Sequence, residues 1–318
     1  MPSRIHPRTR VSTSLQAMYA LPLIVALAAI PGAEANAQDA ESRRAKFNAI
    51  DWTDAPGVGK LGKVASLDIP EGCRFTDARG AKKFMELTEN PFNGSEVGAL
   101  TCETATPGNP ADPEVWFVIF EYDESGYVKD GEKATLDADK ILATLREGQA
   151  AGNVERRKRG WEELEIGGWM REPYYDEETN NLTWAVSVLA SGDTSVNHSV
   201  RLLGREGVLK ADLVSDPGGF ALAMPTFTQV VDGTIFVPGK KYSEWRDGDK
   251  VAAYGLTALV AGGAGAAALK LGLFGKLWKL IAASGKLIIV ALIAVGAAIK
   301  KLFTGKSDDA SPSPSSGG

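Results

Sequence analysis

Oxygen-bearing side chains recur along residues 121–132, EYDESGYVKDGE, at a spacing close to that of a twelve-residue calcium-binding loop. In such a loop, carboxylate and hydroxyl oxygens surround a bend that glycine permits, here Gly126, and the last ligand is a glutamate, here Glu132. Two features argue against calcium. The first position is Glu121 rather than aspartate, and the preceding apolar run predicts a strand where a calcium loop needs a helix. We therefore interpret the segment as an acidic hairpin turn.

His198 is the histidine that remains once the predicted N-terminal signal is removed. A single imidazole cannot form a multi-histidine metal site, but it could act as a general base near Ser195, Ser199 or Asp212. Apolar residues occupy alternate positions on both sides of it, which favours a place in one face of a sheet. We expect a structural role for it. An envelope enzyme that uses His198 or surface carboxylates is the alternative function.

Residues 156–159, RRKR, concentrate positive charge at the predicted end of a helix. The run could bind an anion, but cations at a helix C-terminus more commonly offset the helix dipole and meet water. The sequence contains no phosphate-binding glycine fingerprint, no GxSxG elbow, and no HExxH or CxxC motif. We therefore assign no catalytic residue, no cofactor and no metal site from the sequence.

A mixture of strands and helices over residues 50–250 must position these side chains. Asp77 and Asp137 each precede a segment with helical periodicity and can cap its first turn. Successive apolar or alternating segments separated by turn residues predict strands that pair in antiparallel fashion. The principal strand segments are 114–122, 163–169, 182–190, 196–203 and 208–214. The predicted fold is α+β, with a mainly antiparallel sheet and flanking helices, followed by a C-terminal transmembrane helical hairpin.

The chain of 318 residues has a formal net charge of −5, and this charge is unevenly distributed. Residues 38–250 contain 25 Lys and Arg against 37 Asp and Glu, whereas residues 251–306 contain seven lysines and no acidic residue. Nucleic-acid binding draws on clustered cations, so the acidic body argues against a nucleic-acid partner. The basic and apolar C-terminal part instead suits anionic lipid headgroups.

The first 37 residues have the three parts of a cleaved secretory signal: arginines near the start, an apolar stretch over 19–30, and small residues before position 38. We predict cleavage before Gln38. The apolar stretch extends only ~18 Å, too short for the ~30 Å hydrocarbon core, which disfavours an uncleaved anchor. The prediction is an exported protein, with a signal peptide over 1–37 and an acidic domain over 38–250.

Cys73 and Cys102 are the two cysteines of the chain. In an exported protein such a pair can form a disulfide bond, and closing the loop between them could add about 3 kcal/mol to the free energy of unfolding. Two buried thiols on neighbouring strands are the other possibility. The sequence leaves both open.

Two apolar segments predict a membrane anchor over residues 251–303. Residues 251–269 run without charge for ~28 Å, and residues 280–299 form a second segment of spanning length. Lys286 lies near the start of the second segment, so its four-carbon stem can carry the ammonium group to the headgroups. We favour a hairpin of two spans. The alternative is one span over 280–299, with residues 251–279 on the membrane surface.

Amphipathic side chains flank these segments. Trp245, Tyr254 and Trp278, together with Lys286, are predicted to lie at the membrane interface, where a ring or long stem can meet lipid while its polar tip meets water. Residues 304–318 are polar and rich in Pro, Ser and Gly, which predicts a disordered tail.

Five stretches, taken together, are more specific than any single motif. They are LDIPEGCRF (67–75), VIFEYDESGYVKD (118–130), VNHSVRLLGREGVLKADLV (196–214), VPGKKY (237–242) and KVAAYGLTALVAGG (250–263). They resemble a bacterial family of predicted membrane-anchored proteins classed as a domain of unknown function, over about residues 50–303. The resemblance implies a signal-directed, membrane-anchored envelope protein and supplies no catalytic residue.

These observations favour a binding or scaffold module that faces the periplasm from the bacterial inner membrane. Its expected partners are the lipid bilayer, through residues 251–303, and either an envelope protein or a second copy of the chain.

Overall fold

The computed structural model describes residues 33–261, and it describes side chains for 41–109 and 113–261. Most of the predicted signal, the predicted span 280–299 and the tail 304–318 lie outside the described residues, as do Trp278 and Lys286. Within the described residues, no helix combines the length and the apolar character needed to cross a bilayer.

Helices and strands alternate irregularly along the chain, as the sequence predicts for an α+β domain. The helices of the described part are α1 (Ala33–Asn48), α2 (Ala78–Leu87), α3 (Ala138–Lys158), α4 (Phe220–Asp232) and α5 (Leu256–Val260). The strands there are β1 (Thr53–Asp54), β2 (Gly57–Leu61), β3 (Ala65–Ile69), β4 (Cys73–Asp77), β5 (Glu96–Thr106), β6 (Asn109–Asp123), β7 (Glu165–Asp176), β8 (Asn181–Ala190), β9 (Asp193–Leu203), β10 (Val208–Ser215) and β11 (Ile235–Phe236). The predicted cleavage point before Gln38 falls within α1.

Eight of these strands form one sheet in the order β1-β4-β5-β6-β10-β9-β8-β7, and every neighbouring pair is antiparallel. A second sheet has the order β11-β3-β2. The prediction of a mainly antiparallel sheet with flanking helices is therefore confirmed. The predicted hairpin strands 182–190, 196–203 and 208–214 correspond to β8, β9 and β10 with small shifts at their ends.

Both faces of the large sheet pack against other elements. On one face, which we call the α4 face, Leu213 and Phe120 pack against Phe227 of α4 and against the small sheet. On the other, the helical face, α2 lies over β4 and β5 while α3 lies over β7. Trp184 of β8 and Ile141 of α3 belong to the core beneath α3. The domain is thus a sheet between two helical or sheet layers.

Asp77 and Asp137 cap their helices as predicted. The Asp77 carboxylate accepts hydrogen bonds from the backbone amides of Arg79 at 2.9 Å and Gly80 at 3.2 Å. The Asp137 carboxylate accepts one from the amide of Lys140 at 3.1 Å. Each bond satisfies a donor that the first helical turn leaves without an intrahelical partner.

Residues Val237 to Val260, which we call the C-terminal strap, lie against the domain. The polar segment 238–250 is bound along one end of the sheet, and Tyr127 and Val251 form a parallel bridge. Leu256 and Val260 of α5 are buried in the core beneath α3. The apolar segment predicted as a span from residue 251 therefore begins inside the domain.

Cys73 and Cys102 lie directly opposite each other on β4 and β5 and form a disulfide bond, with an S–S distance of 2.03 Å. Both residues are buried in the core beneath α4. Of the two possibilities that the sequence left open, the structure contains the bonded one.

Removal of this disulfide should destabilise the domain. The bond closes a loop of 29 residues, so the double substitution Cys73→Ala and Cys102→Ala should lower the free energy of unfolding by about 3 kcal/mol. Guanidinium titration of the full chain in a mild detergent, with and without dithiothreitol, measures this loss. The double variant is its own control because reductant should not change its midpoint. An unfolding midpoint of the wild type that is equal in both conditions contradicts the prediction.

Candidate functional site

The strap-bound end of the large sheet is the candidate site, because two loops of the domain and the C-terminal strap meet there. Tyr127 donates its amide hydrogen to Lys250 O at 2.8 Å, and Ala252 donates to Tyr127 O at 2.9 Å. On the other side, the amide of Arg205 donates to Lys240 O at 2.9 Å. The strap is therefore joined to the loops after β6 and after β9 by backbone hydrogen bonds.

A bidentate ion pair fastens the strap to the loop after β9. The Nε and Nη2 atoms of Arg205 lie 2.6 and 2.8 Å from the two carboxylate oxygens of Asp249. The hydrogen bond from Arg205, assisted by the amide of Arg246, lowers the pKa of Asp249 to about 2. Lys240 and Glu206 form a second ion pair between the same two segments. A bidentate arginine–carboxylate pair attracts its two partners and also fixes their relative orientation, so the strap has a defined position.

Aromatic rings add contact area along the strap. The rings of Tyr127 and Tyr242 are stacked at 4.4 Å, and the indole of Trp245 lies 5.3 Å from the Tyr127 ring. The hydroxyl of Tyr242 donates to Val128 O at 3.0 Å. The predicted interface residue Trp245 thus packs on the domain as part of the strap.

Tyr254, the other predicted interface residue in the described part, also faces the domain. Its hydroxyl donates to Asp123 Oδ2 at 2.6 Å, and burial together with this hydrogen bond raises its pKa. Three residues further on, the amide of Thr257 donates to Glu132 Oε2 at 2.9 Å, which caps the start of α5. Gly255 lies so close to the same carboxylate that a Cβ there would lie 2.5 Å from Glu132 Oε1.

Three carboxylates of residues 121–132 have separate partners. Glu121 pairs with Lys210 at 2.9 Å, Asp123 accepts from Tyr254, and Glu132 caps α5. The segment follows β6, a strand, as predicted. Among the described residues, no group of three or more His, Cys, Asp or Glu is arranged to hold a metal ion. These carboxylate oxygens bind side chains and backbone amides of the strap and the sheet.

His198 lies on the α4 face and is 2% exposed. Its Nε2 atom is 3.0 Å from the Thr183 hydroxyl, and its ring contacts Phe220 and Phe227 of α4 at 5.7 and 5.4 Å between centroids. Burial, with a smaller effect of the Arg171 charge, lowers the pKa of His198 from 6.5 to about 4. The imidazole is therefore a neutral core side chain at pH 7.

Ser199 and Asp212 lie on the opposite face of the sheet from His198. They are cross-strand partners on β9 and β10, and the Ser199 hydroxyl donates to Asp212 Oδ1 at 2.5 Å. The same oxygen accepts from Arg201 at 2.8 Å. Ser195 has the parity of Ser199, so it too is directed away from the imidazole. The serine, histidine and aspartate considered together in the sequence are thus divided between two layers.

The cations at the end of α3 have local partners. Arg156 is buried and donates to Glu162 O and, at 2.9 Å, to Glu89 O. Arg157 pairs with Glu163 at 2.6 Å, while Lys158 and Arg159 pair with Glu155. The run therefore connects the helix end to neighbouring loops and to Glu155 of the same helix.

The ion pair between Arg205 and Asp249 was not predicted, because 44 residues separate its partners. The available signal was the density of charged and aromatic residues in 238–250. Around this pair lies a shallow, open groove of about 390 Å³, lined by Glu124, Glu206 and residues 248–250.

Comparison with known proteins identifies a family but no activity. The model of the family described as "Protein of unknown function (DUF2167)" matches residues 53–296. A search of curated proteins found no match.

Three solved structures are similar to parts of the chain. Cyanobacterial PsbP from Synechocystis has 12% identity and a TM-score of 0.32, over 59% of this chain and 92% of that one. A protein of unknown function from Pseudomonas aeruginosa has 12% identity and a TM-score of 0.25, over 44% and 83%. CalU16 from Micromonospora echinospora has 10% identity and a TM-score of 0.17, over 42% and 78%. At these scores the similarities carry no argument about function.

The buried imidazole should make stability depend on pH. Because the pKa of His198 is about 4 when folded and 6.5 when unfolded, the unfolded chain binds more protons between these values. The free energy of unfolding should therefore fall by about 2 kcal/mol from pH 7 to pH 4.5 through this residue. In His198→Leu this part of the loss should disappear, as measured by denaturant titration at the two pH values. Ser195→Ala on the same strand should keep the wild-type loss. Equal losses in His198→Leu and wild type contradict the assignment.

Breaking the ion pair of the strap should loosen its backbone hydrogen bonds. In Asp249→Asn, hydrogen exchange at the amides of Tyr127 and Ala252 should accelerate roughly tenfold, since hydrogen bonds to charged groups stabilise more than neutral ones. Asp247→Asn is the matched control, because Asp247 is exposed and has no ion-pair partner among the side chains of 41–109 and 113–261. Unchanged exchange in Asp249→Asn would show that this ion pair does not hold the strap.

Proposed function

The chain belongs to the family described as protein of unknown function (DUF2167), and from that premise we propose that it is a membrane-anchored binding or scaffold module of the bacterial envelope. In this proposal the N-terminal signal directs export, and the domain faces the periplasm. Residues 262–303 hold it to the inner membrane. The domain presents its surface to an envelope protein or to a second copy of the chain.

The observation that carries the proposal is the path of the chain toward the apolar segment. The strap is hydrogen-bonded to the domain at Lys240, Lys250 and Ala252, and Leu256 and Val260 are buried in its core. A flexible linker would let the domain move freely above the bilayer. Within the described residues, contacts with the core extend to Val260, close to the start of residues 262–303. A domain so attached would keep one surface turned toward the membrane and another toward a partner.

The disulfide supports the proposed export. Disulfide bonds persist in oxidising compartments such as the periplasm and are rare in the bacterial cytosol. Cys73 and Cys102 are bonded within the core beneath α4, where the bond contributes to the stability of the domain. This agrees with the three-part N-terminal signal read from the sequence.

The alternative function, an envelope enzyme, would have to use carboxylates rather than His198. The imidazole is buried between the sheet and α4, so a substrate would have to displace that helix to reach it. Glu121 and Asp212 are more accessible, and both are already engaged in ion pairs. These features support recognition more than general base catalysis.

Membrane fractionation tests the anchor. The full-length chain should remain in the membrane pellet after carbonate washing, whereas a chain that ends after Ala261 should be recovered in the soluble periplasmic fraction. The reason is that residues 262–303 supply the apolar length needed for spanning. Release of the full-length chain by carbonate, or retention of the chain ending after Ala261, contradicts the proposal.

A second truncation separates anchoring from folding. A chain that ends after Lys250 lacks the side chains of Leu256, Leu259 and Val260, which are almost fully buried in the core beneath α3. It should unfold at a lower temperature than the chain ending after Ala261, because burying each such side chain contributes about 1.5 to 3 kcal/mol. Equal melting temperatures would show that α5 contributes nothing to the domain.

A further inference from the structure

The middle of the helical face carries charged side chains where a covered sheet usually carries apolar ones. Since α2 lies over β4 and β5 and α3 lies over β7, strands β6, β10 and β9 run between the helices. We call this region the central cleft, and its floor consists of Glu121, Ser199, Arg201, Lys210 and Asp212. None of these side chains belongs to the strap or to the groove around Asp249.

The register of the strands places these charges side by side. Lys210 of β10 lies between Glu121 of β6 and Arg201 of β9, as the direct cross-strand neighbour of each. In the next row of the same face, Asp212 is opposite Ser199. A lysine directly opposite an arginine is repulsive, and cross-strand neighbours lie about 5 Å apart. Two positive charges therefore lie side by side on the helical face.

Each cation of the floor has one carboxylate partner. Lys210 pairs with Glu121 at 2.9 Å, and Arg201 pairs with Asp212 at 2.8 Å. The guanidinium of Arg201 also lies over the Trp184 ring at 4.6 Å, which fixes its plane. Water reaches the floor: the side chains of Asp212, Lys210 and Glu121 are 29%, 22% and 19% exposed.

Several hydrogen-bonding positions on the floor have no partner among the described residues. Arg201 Nε is buried without an acceptor, although Arg201 Nη1 is bonded to Asp212 Oδ1. Asp212 takes both of its hydrogen bonds on Oδ1, and Glu121 takes its bond from Lys210 on Oε2. One oxygen of each carboxylate is thus free to accept, and Lys210 keeps two of its three donors.

We propose that the central cleft binds a small zwitterion, a molecule with one carboxylate and one primary ammonium group a few ångströms apart. The carboxylate accepts from the two remaining donors of Lys210, and the guanidinium of Arg201 is the neighbouring positive charge. The ammonium group donates to the free oxygens of Asp212 and Glu121. Both charges of the ligand then meet an opposite charge that the sheet already holds in place.

A molecule with a single charge fits this floor less well. A simple anion would add a third negative charge beside Glu121 and Asp212, and a simple cation would add a third positive charge beside Lys210 and Arg201. A zwitterion leaves the net charge of the cleft unchanged. Preorganised ion pairs also lower the cost of ordering side chains on binding.

This inference is independent of the membrane anchor, because its residues all lie on β6, β9 and β10. Loss of binding in the cleft would not release the chain from membranes, and failure of the carbonate experiment would not affect the cleft. The two proposals therefore have separate tests.

Isothermal titration of the full chain in detergent tests the proposal with glycine, β-alanine and 4-aminobutyrate as probes of increasing charge separation. Propionate and ethylamine are the singly charged comparisons, and phosphoethanolamine tests whether a lipid-type phosphate replaces the carboxylate. At least one zwitterion should bind roughly tenfold more tightly than either singly charged compound. If none does, the proposal is overturned.

Variants test whether the zwitterion binds at the floor of the central cleft. Lys210→Gln and Asp212→Asn should each weaken the binding of the best zwitterion roughly tenfold, since each removes one charged contact. Lys60→Gln, at an exposed position on β2, is the matched control and should bind as the wild type does. Thermal unfolding of each variant establishes that it is folded. Wild-type affinity in folded Lys210→Gln and Asp212→Asn overturns the proposal.

Discussion

The alternation of side chains along β6, β10 and β9 is the constraint on which the rest of this structure depends. Each residue of a strand faces the opposite side from its neighbours, so a sheet covered on both faces divides adjacent residues between two environments. His198 and Ser199 illustrate the consequence. The imidazole enters an apolar core beneath α4, while the serine next to it joins Asp212 and Arg201 on the helical face. A shift of one residue in register would exchange these two environments.

Burial decides the chemistry available to each face. On the α4 face, the low-dielectric surroundings disfavour a charged imidazole, so the pKa of His198 falls to about 4 and the ring acts as an apolar side chain with one polar contact. On the helical face, charges persist because each has a counterion within hydrogen-bonding distance. The histidine, serine and aspartate that the sequence suggested as one catalytic group are therefore separated. His198 is a core residue, whereas Ser199 and Asp212 belong to a charged surface on the other face.

Local features of the fold could be predicted from the sequence, and non-local ones could not. The strands 182–190, 196–203 and 208–214 and the caps at Asp77 and Asp137 follow from periodicity and from bonds within three residues. The pairing of Arg205 with Asp249 depends on how the chain returns to the sheet, which periodicity does not encode. Residues 251–260 show a different limit of prediction from sequence. An apolar helix that spans a membrane and an apolar helix that packs in a protein core have the same composition, so the sequence does not distinguish them.

The strap and the central cleft meet at Tyr254. Its hydroxyl donates to Asp123, which lies two residues beyond Glu121 on β6 and on the same face, and the charge of Arg201 acts on the Tyr254 hydroxyl. The segment that leads toward residues 262–303 therefore also borders the charged floor between the helices. The hydrogen bond between Tyr254 and Asp123 thus places the C-terminal segment beside the strand that holds Glu121 and its partner Lys210.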